Sequence, residues 1–177
     1  DWLHCHYRSR ALLLARGVAP YQFFDNLLCN RRSNSQGRRM SPFFSDPDLH
    51  ILSMVTPVGN NALQSVGVAE AIHHQASRPL VVCGVGDGTT KQGEFYEACS
   101  EAARRKLPVL FLIENNRWAI STSTEGKTFF DCSPGSQQFV GIPVFRGDGT
   151  DVLPAHDLLA NVVNQIRVTR QPAIVVL

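Results

Sequence analysis

Two polar side chains follow the most apolar segments of the chain and could together hold a metal ion. Asp87 stands between two glycines directly after the apolar run at residues 79–85, and Asn116 follows a second apolar run at residues 108–113. Short continuous apolar runs are typical of strands buried on both faces of a parallel sheet. Such sheets bind ligands where the strands end. If the two strands are neighbours, Asp87 and Asn116 therefore lie at the same edge.

The two side chains offer the oxygen donors that magnesium prefers. Asp87 supplies a charged carboxylate oxygen, Asn116 supplies a neutral amide oxygen, and backbone carbonyls after Asn116 could add another. Magnesium takes few protein oxygens and completes its octahedron with water and phosphate oxygens. The glycines beside Asp87 let backbone amides approach phosphate, and a helix beginning near Thr90 would add its positive end. The pattern indicates a site for a magnesium-bound diphosphate.

The sequence gives less support to other functions for these glycines. An isolated Gly-Asp-Gly is usually only a turn, and we interpret the second copy, Gly147-Asp148-Gly149, as a plain turn because no Asn-Asn pair follows at a comparable distance. The run from Gly84 to Gly88 fails the dinucleotide fingerprint, since Thr89 stands where the third glycine is wanted. A hydrolase Gly-x-Ser-x-Gly motif is absent from the sequence.

The elements that would position these residues alternate between helices and strands. The predicted helices cover residues 2–16, 20–30, 60–75, 93–106 and 154–169, the predicted strands cover 79–85, 108–113, 142–145 and 173–177, and the predicted loops cover 31–57 and 115–140. This order predicts a single α/β domain over residues 1–177, with right-handed crossovers and a parallel sheet covered by helices on both faces. The small residues Ala62, Gly67, Ala69 and Ala71 are expected on one helix face, either as a contact surface or as core.

Composition narrows the class of protein further. The net charge of +2 gives no reason to expect a nucleic-acid or anionic-membrane surface, and no apolar run approaches the roughly 18 residues of a membrane span. Five cysteines without CxxC spacing indicate reduced thiols in a cytosol-like compartment, with Cys83 in the core. None of the six histidines is predicted to be a ligand or base. The chain starts without Met and ends within an apolar strand, so we interpret it as a piece of a longer protein.

The motif set resembles a known family. The residues that carry the resemblance are Gly86-Asp87-Gly88-Thr89-Thr90-Lys91-Gln92-Gly93-Glu94-Phe95-Tyr96-Glu97-Ala98, Lys106-Leu107-Pro108-Val109 and Glu114-Asn115-Asn116-Arg117-Trp118-Ala119-Ile120-Ser121-Thr122. A Gly-Asp-Gly followed about thirty residues later by Asn-Asn is the thiamine diphosphate signature. The set is similar to the E1 component of 2-oxo acid dehydrogenases, specifically its α subunit or the α-like half of a fused E1. The likeness is strongest over 37–124 and weakest over 125–140. It implies a thiamine diphosphate-binding fold, here truncated.

The resemblance implies roles for ten residues. Asp87 and Asn116 would be magnesium ligands, with the main-chain carbonyl of Trp118 as a third, although the family usually has Tyr at that position. The residues implied to bind the cofactor are Tyr7, Arg8, Thr56, Val58, Gly86, Asp87, Gly88, Thr89, Asn116 and Trp118. Phe43 replaces a His that many relatives carry, which would make a short substrate-channel contact apolar.

The resemblance also implies the activity and the partners. The family decarboxylates a 2-oxo acid and passes the acyl fragment to the lipoyl group of E2, which is oxidoreductase chemistry with a disulfide acceptor. The residue that activates the cofactor, a Glu, would come from an E1 β-type subunit or half, in a heterotetramer. A lone chain would then be inactive and bind cofactor weakly. The expected location is the cytoplasm, or the mitochondrial matrix in a eukaryote.

Three alternatives stay open. The first is another thiamine diphosphate enzyme, such as a transketolase-like, acetolactate synthase-like or acetoin dehydrogenase protein. The second is a non-catalytic module that keeps the fold. The presence of Asp87, Asn116 and Arg8 argues against it, because a module that had lost its function would not need these site residues. The third is a nicotinamide enzyme, which the failed glycine fingerprint disfavours. The residues do not indicate which 2-oxo acid is used.

Overall fold

The structure, a computed structural model, describes residues 1–132 and 135–177. Its strands are β1 (Trp2–His4), β2 (Val81–Gly86), β3 (Val109–Glu114), β4 (Trp118–Ala119), β5 (Thr122–Ser123), β6 (Gln138–Phe139), β7 (Ile142–Arg146) and β8 (Ala173–Val176). Its α-helices are α1 (Arg10–Arg16), α2 (Pro20–Leu27), α3 (Asn60–Ile72), α4 (Gly93–Arg105), α5 (Phe129–Cys132) and α6 (Val152–Thr169), and a 3₁₀ turn spans Asp87–Lys91.

The main sheet confirms the predicted parallel α/β architecture. Its strand order is β1-β2-β3-β8-β7-β6, all pairs are parallel except the short antiparallel edge pair of β6 and β7, and β4 pairs with β5 in a separate hairpin. In the register of β2 and β3, Gly86 lies beside Glu114. The residues that follow these two strands therefore start at one edge of the sheet.

Alternate side chains of the central strands pack into two separate hydrophobic cores, one on each face of the sheet. Phe111 and Ile113 of β3 pack with α3 and α4 on one face, whereas Leu110 packs with Val162 and Ile166 of α6 on the other. All five side chains are buried. This alternation is the period of two that a strand requires. Helices therefore cover both faces, as the sequence predicted.

The first predicted helix was wrong over its N-terminal half. Residues 2–4 form β1, which pairs in parallel with Val81–Cys83 of β2, and only Arg10–Arg16 is helical. Leu3, His4 and Cys5 are buried, so tertiary pairing with a buried strand outweighs any local preference for helix. The end of the helix was correct, because Gly17 adopts φ +112° and donates its N–H to the carbonyls of Leu13 and Leu14.

Two further expectations need correction. The small residues of α3 do not share one face, since Ala62 and Ala69 are buried whereas Gly67 and Ala71 are exposed. The predicted loop at 115–140 contains the β4–β5 hairpin, α5 and the strand β6 at the sheet edge. In the hairpin, Trp118 and Ala119 pair with Ser123 and Thr122 across a tight turn. Positions 133 and 134 of that predicted loop lie outside the described residues. The long segment over 31–57 consists of turns and isolated bridges, as predicted.

Candidate cofactor site

One cavity of about 1070 Å³ opens at the carboxyl ends of β1, β2, β3 and β7. All ten residues that the sequence singled out for cofactor binding line it: Tyr7, Arg8, Thr56, Val58, Gly86, Asp87, Gly88, Thr89, Asn116 and Trp118. They come from four separate stretches of chain, which only the parallel sheet brings together. Their individual roles remain predictions.

Asp87 is buried and lacks a cationic partner. Its side chain is 2% exposed, and none of the ion pairs among the described residues includes it. Its carboxylate oxygen Oδ2 accepts a hydrogen bond from the hydroxyl of Thr124, and its main-chain carbonyl accepts one from Thr90 at 2.7 Å. A buried carboxylate is costly unless a positive charge or a metal balances it. The observed environment therefore fits a bound cation.

The second Gly-Asp-Gly is a turn, but it lies closer to the site than the sequence suggested. Gly147, Asp148 and Gly149 follow β7 and line the same cavity. The Oδ1 atom of Asp148 accepts hydrogen bonds from the hydroxyl of Thr150 at 2.6 Å and from its amide at 2.9 Å. These bonds lower the pKa of Asp148, whose carboxylate is exposed. Asp148 is thus stabilised by its own turn and by water.

Asn116 and Trp118 are held by a local turn after β3. The Oδ1 atom of Asn116 accepts the backbone N–H of Trp118 at 2.9 Å, and Arg117 between them adopts φ +64°. An amide oxygen has two lone pairs, so one stays available for a metal. The indole of Trp118 is 54% exposed, and the use of its carbonyl as a metal ligand stays a prediction.

The donor set suits magnesium better than a thiolate- or imidazole-binding metal. Within residues 1–132 and 135–177, no group of three or more His, Cys, Asp or Glu side chains could hold a metal ion. Asp87 supplies one charged oxygen, and Asn116 and the Trp118 carbonyl supply neutral ones. Hard oxygen donors in small number match Mg²⁺, which keeps water and phosphate oxygens as further ligands.

Gly88 allows the closest approach in the site. A Cβ atom placed on Gly88 would lie 2.6 Å from the Cβ atom of Ala119 in β4. The residues Asp87–Lys91 form a 3₁₀ turn and α4 begins only at Gly93, whereas the sequence placed a helix start near Thr90. The hairpin that carries Trp118 therefore packs directly on the turn that carries Asp87.

Arg8 reaches the cavity from a turn after β1 rather than from a helix. Its guanidinium lies 5.3 Å from the ring centroid of Tyr7, and both side chains are exposed. An arginine in this place offers a planar fork of donors that suits a phosphate group. Phe43 is buried against Tyr7, which lines the cavity, so the expected apolar contact of Phe43 with a substrate channel stays a prediction.

A hydrogen-bond network that the sequence did not reveal holds the Arg8 segment. Glu114, the last residue of β3, accepts hydrogen bonds from Ser9 Oγ at 2.9 Å and from His6 Nε2 at 3.2 Å. The Nδ1 atom of His6 accepts the backbone N–H of Arg8 at 3.1 Å. The hydrogen bond from His6 is the main cause that lowers the pKa of Glu114. Because more than a hundred positions separate Glu114 from His6 and Ser9, no local pattern could have indicated this contact.

The parallel sheet with helices on both faces defines an α/β protein of the transketolase-like fold. Transketolase from Leishmania mexicana superposes with a TM-score of 0.71 at 21% identity, covering 99% of this chain and 28% of that one. The chain belongs to the dehydrogenase E1 component family, whose model matches residues 1–176. The sequence-based assignment to the E1 α type is thereby confirmed, as the relatives below also indicate.

Curated relatives fall into two groups by name. The pyruvate dehydrogenase E1 component subunit alpha of Mycoplasma genitalium is 30% identical over 175 residues, which cover 99% of this chain and 46% of the relative. The 3-methyl-2-oxobutanoate dehydrogenase subunit alpha of Mycobacterium tuberculosis is 29% identical, with 99% and 45% coverage. The 2-oxoisovalerate dehydrogenase subunit alpha 1 of Arabidopsis thaliana is 28% identical, with 96% and 36% coverage. The chain therefore spans less than half the length of these relatives.

Proposed function

We propose that this chain holds the magnesium-bound diphosphate of thiamine diphosphate in the E1 component of a 2-oxo acid dehydrogenase. Asp87, Asn116 and the main-chain carbonyl of Trp118 bind the metal in this proposal. Gly86, Gly88 and Thr89 lie along the diphosphate, and Tyr7 and Arg8 approach it from the end of β1. Thr56 and Val58 meet the cofactor's organic part.

The observation that carries the proposal is the meeting of these residues in one cavity around a buried, unneutralised carboxylate. Ten residues chosen by motif from four stretches of chain line the same space. Asp87 is 2% exposed and is paired with no Lys, Arg or His within the described part of the chain. The magnesium ion of a bound diphosphate would supply the missing positive charge at Asp87, and the diphosphate would accept from the neighbouring donors.

In this proposal the chain's own residues bind and orient the cofactor, and the cofactor supplies the reaction chemistry. When bound, thiamine diphosphate provides a carbon nucleophile and a positively charged ring that accepts the electrons released by decarboxylation. Asp87 and Asn116 would fix the metal, and Arg8 would neutralise phosphate charge. No side chain assigned here removes a proton from the cofactor. We propose that a β-type E1 chain supplies the activating Glu and that the acyl group passes to lipoyl-E2.

Exposed apolar side chains on the cavity wall support the need for a partner. Val58 is 58% exposed, Trp118 is 54% exposed and Ile120 is 89% exposed, and all three line the cavity. Apolar side chains grouped around a polar pocket are typical of a surface that another chain covers. We also propose a cytoplasmic location in a bacterium or the mitochondrial matrix in a eukaryote, in line with the Arabidopsis thaliana relative that is named as mitochondrial.

Turnover with and without a β-type partner tests this proposal. We expect the full-length protein with its partner to release carbon dioxide from a 2-oxo acid and to acylate lipoyl-E2, and the chain alone to do neither. Comparing pyruvate with 3-methyl-2-oxobutanoate identifies the substrate, since named relatives use either kind. Turnover by the isolated chain would contradict the shared-site arrangement. Transfer to a sugar acceptor in place of lipoyl-E2 would support the transketolase-like alternative, and cofactor binding without any turnover would support the non-catalytic one.

A further inference from the structure

Thr124, a residue outside the motif set, makes a direct contact with the proposed metal ligand Asp87. Its hydroxyl donates a hydrogen bond to Oδ2 of Asp87, across 37 positions of sequence. Thr124 is 5% exposed and Asp87 is 2% exposed, so water does not compete at this contact. An ionised carboxylate only accepts hydrogen bonds, which fixes Thr124 as the donor.

The backbone around Thr124 is fixed, so the hydroxyl has little freedom to leave Asp87. The amide of Thr124 donates to the Arg117 carbonyl at 3.0 Å, and its own carbonyl accepts the amide of Lys127 at 2.9 Å. The hairpin also rests on the Asp87 turn through the close approach of Ala119 to Gly88. Hairpin and turn are thus also joined beside the Asp87–Thr124 contact.

The hydrogen bond makes the two oxygens of Asp87 unequal as metal ligands. Oδ2 uses one lone pair to accept from the Thr124 hydroxyl, whereas no hydrogen-bond donor among the described residues reaches Oδ1. Oδ1 is therefore the freer ligand, and a two-oxygen contact has to compete with Thr124 for Oδ2. Mg²⁺ demands near-octahedral geometry and uses few protein oxygens, whereas Ca²⁺ accepts six to eight ligands and binds carboxylates through one or both oxygens. A carboxylate that binds mainly through Oδ1 therefore favours the smaller ion.

We propose that Thr124 is a positioning residue that makes Asp87 a one-oxygen ligand and thereby sets the preference of the site for Mg²⁺ over Ca²⁺. The inference rests on the proposed function, because it takes Asp87 as the metal ligand. Thr124 acts through Asp87 and touches neither metal nor cofactor. Loss of its hydroxyl frees Oδ2, which weakens Mg²⁺ binding and allows Ca²⁺ a two-oxygen contact.

The test compares two metal titrations on the full-length protein assembled with its β-type partner. Apo complex is incubated with a fixed concentration of thiamine diphosphate, Mg²⁺ or Ca²⁺ is added, and retained cofactor is measured after rapid desalting. In Thr124→Val we expect the Mg²⁺ concentration for half-maximal retention to rise about tenfold to a hundredfold, the usual cost of losing a residue that orients a metal ligand. We expect the Ca²⁺ midpoint to rise less, so that the ratio of the Ca²⁺ to the Mg²⁺ midpoint falls about tenfold.

Three further variants separate the hydroxyl from general damage. Thr124→Ser keeps the donor and should restore both midpoints, and Thr124→Ala removes it in a second way in case Val is not accommodated. Thr122→Val lies two residues away on the exposed part of the same hairpin and should behave as the unaltered protein. Thermal unfolding of each complex establishes that the folded state is retained.

The outcomes distinguish this inference from the function on which it rests. In one outcome the unaltered complex retains cofactor while the ratio of the Ca²⁺ to the Mg²⁺ midpoint stays unchanged in both Thr124→Val and Thr124→Ala. That result would overturn the role of Thr124 and leave the proposed cofactor site unaffected. An equal change of the midpoint ratio in Thr122→Val would also overturn the role of Thr124. If the unaltered complex retains no cofactor with Mg²⁺ or Ca²⁺, the proposed function fails and this inference fails with it.

Discussion

Glu114 joins two strand ends that both contribute to the cavity. It closes β3, two residues before Asn116, and through Ser9 and His6 it holds the turn that carries Arg8. His6 has one nitrogen that accepts from the Arg8 amide, so its other nitrogen must carry the proton that bonds Glu114. A carboxylate at position 114 therefore fixes the imidazole, and the imidazole fixes the backbone at Arg8.

Replacement of this carboxylate has a predicted pH dependence. The folded-state pKa of Glu114 is lowered, so its ionised form adds to the free energy of unfolding above the ordinary pKa of about 4.5 and this contribution disappears as the pH falls through the lower folded value. We expect Glu114→Gln to be less stable than the unaltered protein at neutral pH, and the difference to shrink on acidification below about pH 4.5. Urea unfolding of both proteins across this range measures it.

Glu97→Gln is the matched control for that comparison, because Glu97 is exposed on α4 and takes part in no ion pair among the described residues. It should track the unaltered protein at every pH. A stability difference for Glu114→Gln that stays constant from neutral to acidic pH would mean that the charge of Glu114 is not what holds the Arg8 turn.

At the scale of elements, the β4–β5 hairpin and the 3₁₀ turn behave as one unit. Gly88 leaves no room for a side chain, since a Cβ atom would meet Ala119 at 2.6 Å. We expect Gly88→Ala to destabilise the protein by about 1–3 kcal/mol, the usual cost of overpacking, and to separate Trp118 from Asp87. Thermal unfolding of the variant measures the first effect.

Gly67→Ala is the control at this scale. Gly67 lies exposed in α3 with nothing within 4 Å of the added Cβ atom, so alanine should stabilise the helix by about 0.5–1 kcal/mol. The two glycine variants should thus shift the unfolding temperature in opposite directions. Stabilisation of both would show that the hairpin moves away from Gly88 at no cost.

Motif and strand pattern predicted the positions of Asp87 and Asn116 because both follow short, continuous apolar runs that form buried strands. Gly17 and Pro20 likewise marked helix boundaries by their own backbone limits. Residues 2–9 were misassigned because Trp2–His4 is a strand only through its pairing with Val81–Cys83. The contacts of Thr124 and Glu114 were missed for the same physical reason, since their partners lie far away in sequence. Thr124 lies outside the motif set, and Glu114 lies within it but had no predicted role.

At the scale of the whole molecule, the two helical layers leave some thiols buried and others exposed. Burial raises the pKa of Cys5 and of Cys83 to about 12 and also raises the pKa of Cys99. Cys29 and Cys132 are exposed and free. Within the described part of the chain no helix has the length and apolar character to cross a membrane.

The thiols therefore provide a probe of the intact fold. At neutral pH we expect iodoacetamide to label Cys29 and Cys132 in the folded protein, because only exposed thiols form the reactive thiolate at a useful rate. Labelling of Cys5, Cys83 and Cys99 should require denaturant. Mass spectrometry of peptides from folded and urea-unfolded samples checks this. Rapid labelling of Cys83 in the folded protein would contradict the buried position of β2.

The two Gly-Asp-Gly turns give the most direct test of the central claim, that Asp87 is the charged anchor of a magnesium-diphosphate site. Calorimetric titration of the assembled protein with thiamine diphosphate and Mg²⁺ compares Asp87→Ala with Asp148→Ala. Asp87 is buried and forms no ion pair among the described residues, whereas Asp148 is exposed and bonded to Thr150. We predict that Asp87→Ala abolishes magnesium-dependent binding and that Asp148→Ala preserves it. Equal losses in both variants, or unchanged binding in Asp87→Ala, would contradict the account.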